Sequence, residues 1–216
     1  MKFNVLKATL AGLVFTVSCL VNSANAGLIV SGEIRNIDGD NDSAIDDSLI
    51  SQISFYVSAG TSLTIDSLVR EINNTDLNGD GEITGFDNYM RLFAGTSNLT
   101  ANDDYSSVGR DSLHGYDSLI NYTFATAGTY MVTVGQLFYS EQEALQGYDT
   151  NRLYNNRETG GELDHGDWRL TFTANGGSVS NVSVINGVSQ VPEPSTLAIF
   201  ALGIMGLASR RFKKQS

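Results

Sequence analysis

The densest chemistry in the chain lies in Asp76-Leu77-Asn78-Gly79-Asp80-Gly81-Glu82-Ile83-Thr84-Gly85-Phe86-Asp87. Side-chain oxygens stand at positions 1, 3, 5, 9 and 12 of this run, with glycine at position 6. Calcium takes about six to eight hard oxygen ligands, and alternate residues of a tight loop point inward together. On this spacing Asp76, Asn78, Asp80, Thr84 and Asp87 offer side chains and Glu82 its carbonyl oxygen. Gly81 permits the sharp turn, and Ile83 is expected to pack the loop onto a core. Asp at position 12, where a longer Glu is usual, shortens the final reach. The alternative is a polar β-turn, because Asp, Asn and Gly favour turns in any case.

A second run, Asp38-Gly39-Asp40-Asn41-Asp42, begins the same pattern, and Asp46 falls at position 9. Ser43 stands where the glycine belongs and Leu49 where the last acid belongs, so Asp38, Asp40, Asp42 and Asp46 read equally as ligands or as turn residues. Catalytic signals are thin. His114 and His165 are the only two histidines, and neither G-x-S-x-G nor H-E-x-x-H occurs. Glu158 to Asp167 holds four acids near Trp168, Glu162 and Asp164 among them, from which a glycoside-active enzyme could draw a carboxylate pair, although acids at this overall density fall together by chance. Tyr139, Tyr148, Tyr154 and Trp168 are aromatic enough to stack on sugars, although such residues more often pack loops down.

These loops need a scaffold, and the body reads as strands. Apolar and polar residues alternate in Leu28–Ile34, Ile53–Val57, Leu63–Val69, Tyr89–Phe93, Leu119–Phe124, Tyr130–Val134, Trp168–Thr173 and Val179–Ile185. Ala127-Gly128 and Asn175-Gly176-Gly177 look like hairpin turns. Residues 140–152 look weakly helical or irregular. Short strands with glycine turns and no helical repeat predict an all-β fold, an antiparallel β-sandwich over residues 27–187.

Both ends carry addresses. Lys2 and Lys7 precede an apolar run from Ala8 to Val21, and Ala24-Asn25-Ala26 places small residues before Gly27, which reads as a secretory signal over residues 1–26 cut between Ala26 and Gly27 by signal peptidase. Cys19 permits a rival lipoprotein reading with Thr16-Val17-Ser18 before it. At the other end, residues 188–195 form a linker with Pro192, Glu193 and Pro194. Residues 196–208 form a hydrophobic segment, predicted as a short helix that enters the membrane. Residues 209–216 form a basic tail with Arg210 and Arg211, placed in the cytoplasm by the positive-inside rule. The segment spans roughly 20 Å as a helix, short of a hydrocarbon core of roughly 30 Å.

The charge balance follows from the same division. The chain has 13 basic and 24 acidic side chains. Lys2, Lys7, Arg210, Arg211, Lys213 and Lys214 lie outside residues 27–190, as does Glu193, which leaves the body at −16. That charge argues against nucleic-acid binding and favours a compensating cation or an acidic, well-hydrated surface. With one cysteine, no disulfide framework is available.

The tail, Val191-Pro192-Glu193-Pro194-Ser195 through Lys214, closely resembles the PEP-CTERM sorting signal of Gram-negative bacteria. The resemblance implies export, transient anchoring in the inner membrane, processing by an exosortase near Pro192-Glu193-Pro194, and a host that makes an exopolysaccharide. Asp87–Phe93, Asn98–Asp104 and Ala127–Val134 are similar to the pre-peptidase C-terminal domain, a jelly-roll-like sandwich. That second resemblance, over roughly residues 50–137, implies a calcium site beside Asn102, Asp103 and Asp104, which could share an ion with Asp87. The expected function is an exported, non-enzymatic, calcium-stabilised protein of the cell surface or extracellular matrix, acting in adhesion or in a biofilm matrix of exopolysaccharide. The rival readings are a calcium-dependent carbohydrate-binding module and a glycoside-active enzyme.

Overall fold

The computed structural model describes residues 27–72, 75–104, 114–156 and 163–190. Twelve strands and one short helix follow in chain order: β1 (Leu28–Ile37), β2 (Asp47–Leu49), β3 (Ser51–Val57), β4 (Ser62–Leu68), β5 (Asn88–Ala94), β6 (Ser97–Asn102), β7 (Leu119–Thr123), β8 (Gly128–Gln136), α1 (Glu141–Gln146), β9 (Tyr148–Asp149), β10 (His165–Asn175), β11 (Val179–Asn186) and β12 (Val188–Gln190). They form two antiparallel sheets. One has the order β7-β4-β10-β1-β2-β9, with β12 also on β1; the other has the order β11-β3-β8-β5-β6.

Period-2 patterning builds the layers. In β3, Ser51, Ile53, Phe55 and Val57 are buried while Tyr56 is exposed, as a half-buried strand requires. Phe55 meets Phe172 of the facing sheet with ring centroids 5.2 Å apart, and Phe124 meets Tyr130 at 4.4 Å. Trp168 is fully buried, and its indole N–H donates to the Ser51 hydroxyl at 3.0 Å. A smaller cluster of Ile50, Phe93, Tyr139 and Ala144 forms where the α1 segment packs down. Gly135 lets it approach, because a Cβ there would lie 2.8 Å from the Tyr139 ring. Ser140 and Glu143 form a reciprocal capping box on α1, and Gly147 ends it at φ 91°.

The expected hairpins are not hairpins. β7 pairs with β4 while β8 pairs with β3 and β5, and β10 and β11 likewise lie in different sheets. Ala127-Gly128 and Asn175-Gly176-Gly177 are therefore corners that carry the chain from one layer to the other. A glycine turn reverses the chain equally well in the plane of a sheet or across the sandwich, so its residues do not tell the two apart. Among the described residues only β5 and β6 make a tight two-residue hairpin, through Gly95 and Thr96. Residues 188–190, read as the start of a linker, are strand: Ser31, Gly32 and Glu33 pair with Gln190, Ser189 and Val188.

The sandwich has two unlike ends. Turns 58–61, 95–96, 124–127 and 176–178 gather at one, tied together by Ser58 N–H to Ser178 O at 3.1 Å and Gly60 N–H to Phe124 O at 2.7 Å. The described parts of connections 38–46, 69–87, 103–118 and 147–164 lie at the other, where Arg35 pairs with His165 and Leu68 with Arg169; the α1 segment instead packs over β5, with Asn98 Nδ2 of β6 donating to Glu141 Oε1 at 3.1 Å. All the candidate ligands are at this long-loop end.

Candidate metal centre

The loop at 76–87 begins as its spacing predicts. Gly79 and Gly81 take φ of 81° and 87°, a left-handed conformation that glycine adopts without a Cβ clash. Asp76 accepts from the N–H groups of Gly79 at 2.5 Å and Gly81 at 3.0 Å. Asn78 Oδ1 accepts from Asp80 N–H at 3.0 Å, and Asp80 Oδ1 from Glu82 N–H at 2.7 Å. That last bond holds the Asp80 carboxyl below its usual range.

The second half departs from expectation. Ile83 is 42% exposed and does not pack the loop down; Phe86 does, fully buried and edge-on to Tyr154 at 5.9 Å. Thr84 is buried, its hydroxyl donating to Glu71 Oε2 at 3.0 Å and accepting from Asp167 N–H at 2.9 Å. The loop is anchored by Glu71, a buried carboxylate that sequence reasoning passed over. It accepts from the N–H of Leu77 and from Thr84 N–H at 2.6 Å. Asp167 is also buried and accepts from Asn78 Nδ2 at 3.1 Å; burial, and then the charge of Glu71, push its carboxyl up to about 6. The signal for Glu71 in the sequence was an acid just past a strand of apolar residues, a position that must find donors when buried.

The loop at 38–46 has the same backbone without the glycines. Asn41 and Ser43, at positions 4 and 6, take φ of 62° and 78°. Asp38 accepts from Ser43 N–H at 3.1 Å, Asp40 from Asp42 N–H at 3.1 Å, and Asp42 from Ala44 N–H at 2.8 Å. These are the 6-to-1, 5-to-3 and 7-to-5 bonds of the other loop. Buried Asp47 is its anchor, accepting from the N–H groups of Gly39 at 2.9 Å, Asp40 at 3.2 Å and Asn151 at 2.8 Å. The Asp46 carboxyl is raised by lost hydration and by the charges of Asp42, Asp47 and Asp40.

Asp87, the last residue of the main run, joins Asp103 and Asp104. Carboxylate oxygens of these three lie within 4.8 Å of one another, as do those of Asp38, Asp40 and Asp42. Asp103 Oδ1 is buried without a hydrogen-bond partner, and burial together with the Asp104 charge raises its carboxyl. Asn102 serves the backbone instead, for its Oδ1 accepts from Leu119 N–H at 2.8 Å and fixes the start of β7. Beside this cluster opens a cleft lined by Asp87, Tyr116, Gln136, Arg152, Leu153 and Asn155.

Other candidates fall elsewhere. Asp80 and Glu82 form a third group with His165, whose Nε2 lies 3.4 Å from Glu82 Oε2. Tyr139, Tyr154 and Trp168 are buried, so they pack the fold and offer no stacking face. Tyr148 presses its ring against Gly39, where a Cβ would meet it at 2.5 Å. Asp164 is exposed, with Oδ1 3.3 Å from His165 Nδ1, and Glu162 lies outside the described residues.

Oxygen-only clusters of like charge repel one another, and a hard divalent cation relieves that repulsion while using the same oxygens. The orphaned Asp103 oxygen and the inward-turned Asp76, Asn78 and Asp80 fit such an ion by donor type. Among the described residues no helix is long and apolar enough to cross a membrane; residues 196–208, Ala26, Pro192, Glu193, Pro194, Arg210 and Arg211 lie outside them, while Gly27 is the first described residue. No curated protein matches the chain. The PEP-CTERM protein-sorting motif matches residues 190–214, so this all-β protein is exported, transiently anchored in a membrane, and handled by an exosortase.

Proposed function

We propose that the exported body is a non-enzymatic, calcium-stabilised β-sandwich that serves adhesion at the cell surface or within an exopolysaccharide matrix. The observation that carries the calcium reading is the shared geometry of the loops at 38–46 and 76–87. Two unrelated stretches of sequence adopt one carboxylate-lined backbone, and one of them does so with Asn41 and Ser43 in a conformation that costs non-glycine residues about 1 kcal/mol each. The body charge of −16 adds to the case, since bound cations offset its self-repulsion. The resemblance of residues 50–137 to a calcium-holding sandwich points the same way.

The test is the thermal midpoint of residues 27–190 in millimolar calcium, magnesium or chelator. Extracellular modules bind calcium at roughly 10⁻⁴ to 10⁻³ M. One native-only site at a hundredfold excess over Kd adds about 2.7 kcal/mol, or roughly 5 to 11 °C for a chain this long. A calcium-specific rise that Asp80→Ala diminishes supports the reading. Equal midpoints in all three solutions refute it.

The cleft beside Asp87, Asp103 and Asp104 favours a second reading, a calcium-dependent carbohydrate-binding module. Tyr116 is 38% exposed there, and Arg152 and Asn155 supply polar groups suited to hydroxyls. Glycan-array binding that needs calcium and is lost in Tyr116→Ala would favour it over a purely structural role. The enzymatic alternative predicts glycoside turnover abolished by Glu162→Gln or Asp164→Asn.

A further inference from the structure

Charge is segregated along the sandwich. Residues 27–32, 48–65, 92–102, 118–140 and 170–190 contain no Asp, Glu, Lys or Arg, and these are the segments that build the short-turn end. Most acids of the body cluster towards the long-loop end; Glu141 is an exception, accepting from Asn98 Nδ2 at 3.1 Å near turn 95–96. Exposed apolar side chains at the short-turn end include Leu28, Ile29 and Tyr56.

Both membrane-linked ends of the chain leave at this uncharged end. β1 starts there, with Leu28 opposite Phe172, one residue after Gly27. β12 runs antiparallel to β1 from Glu33 opposite Val188 to Ser31 opposite Gln190, so it also heads towards the short turns. Residues 191–195 alone separate Gln190 from the hydrophobic segment at 196–208. That tether spans at most about 20 Å fully extended, and Ser31 is three residues, about 10 Å, short of the end of β1. The long-loop end lies about 30 Å away along β8.

We propose that the short-turn end, with turns 58–61, 95–96, 124–127 and 176–178, is the membrane-facing surface of the anchored protein and rests on the bilayer headgroups. The acidic loops are then presented away from the bilayer. Tether length sets the distance, and electrostatics sets the orientation: anionic headgroups repel the acidic end and leave the neutral end indifferent. The proposal rests on the anchoring reading and adds which face of the domain meets the lipid.

The test uses the chain with its C-terminal segment intact and its signal removed, reconstituted without exosortase into vesicles of phosphatidylethanolamine and phosphatidylglycerol. Removal of residues 1–26 takes away Cys19, the one cysteine, so single fluorophores are introduced through Thr96→Cys and Ala125→Cys in the short turns and through Ile45→Cys, at an exposed position of the 38–46 loop, at the other end. Headgroup-spin-labelled lipid is expected to quench the first two at least threefold more than the third. Equal quenching, stronger quenching at position 45, or no quenching at any position in protein that floats with the vesicles overturns the proposal. Chain that fails to float with the vesicles refutes the anchoring reading itself, and the proposal falls with it.

Discussion

The loops at 38–46 and 76–87 reach one backbone by different means. In the second, Gly79 and Gly81 supply the two left-handed residues; in the first, Asn41 and Ser43 do so against their preference. Each is tied to the sandwich by a buried carboxylate outside its ligand positions, Asp47 for the first and Glu71 for the second, and each carboxylate takes the N–H at loop position 2. Their ends differ. The main run continues to Asp87, which leaves for Asp103 and Asp104, whereas the first ends in Leu49, buried beside the core. The loop conformation therefore depends on the inward carboxylates and the anchor, and the glycines reduce its cost.

The largest expected effect comes from removing an anchor. Glu71→Ala strands the N–H groups of Leu77 and Thr84 and the Thr84 hydroxyl in a buried setting. About 3 kcal/mol of lost stability is expected, a fall in thermal midpoint of roughly 6 to 12 °C. Asp47→Ala should cost somewhat less, about 2 kcal/mol, because the loop it holds is mostly exposed. If either variant melts like the parent, the anchors do not hold the loops.

Calcium sharpens the contrast next. Asp80→Ala and Asp42→Ala remove equivalent position-5 carboxylates, so each should diminish the calcium-dependent rise in midpoint, and the double variant should lose more than either. A rise that survives Asp42→Ala undiminished would make the first loop a turn and leave the second, with or without Asp87, as the binding element.

A pH series probes the surroundings of the first loop. Asp149 pairs across from Ser48 in β2, and its carboxyl is pushed up to about 6 by burial, against the opposing charge of Arg152, with Glu143 adding to the rise. Its folded pKa is raised above the unfolded value of 3.8, so the native state holds a proton that the unfolded chain releases. Stability from this group is therefore fully present below pH 4 and is lost as pH rises to about 6, by about 2 kcal/mol. Asp149→Asn should flatten that part of the decline in chemical-denaturation midpoints between pH 4 and 7; an unchanged slope would contradict the assignment.

The smallest effect is the most specific to the two loops. Ser43→Gly relieves a left-handed serine and should stabilise by about 1 kcal/mol, whereas Gly81→Ala imposes that strain and should destabilise by a similar amount. Opposite shifts in denaturant midpoint would confirm that the two positions are equivalent, and shifts of the same sign would deny it.

The sequence made the layers legible where one face is apolar, as in β3, β8 and β10, and it made the main loop legible through its glycines. It hid β6, whose Ser97–Asn102 residues are mostly polar and only half-buried, and β2, β9 and β12, which are too short to show a period. Sheet membership was out of reach because corner and hairpin turns share residues. Glu71, Asp47 and Asp167 were indistinguishable from surface acids, since burial of a carboxylate is decided by donors that lie far away in sequence. The split of Asp87 from Asp76, Asn78 and Asp80 depends on where β5 begins, which no ligand spacing records.

Whether both loops are one kind of cation site is decided at their backbone amides, whose resonances in residues 27–190 can be followed during titration with calcium and with magnesium. Gly81 and Ser43 N–H groups donate to Asp76 and Asp38, the position-1 carboxylates, at 3.0 and 3.1 Å. Both resonances are expected to move with calcium in the millimolar range and far less with magnesium. Gly81 and Ser43 amides that stay still at saturating calcium would contradict a shared site.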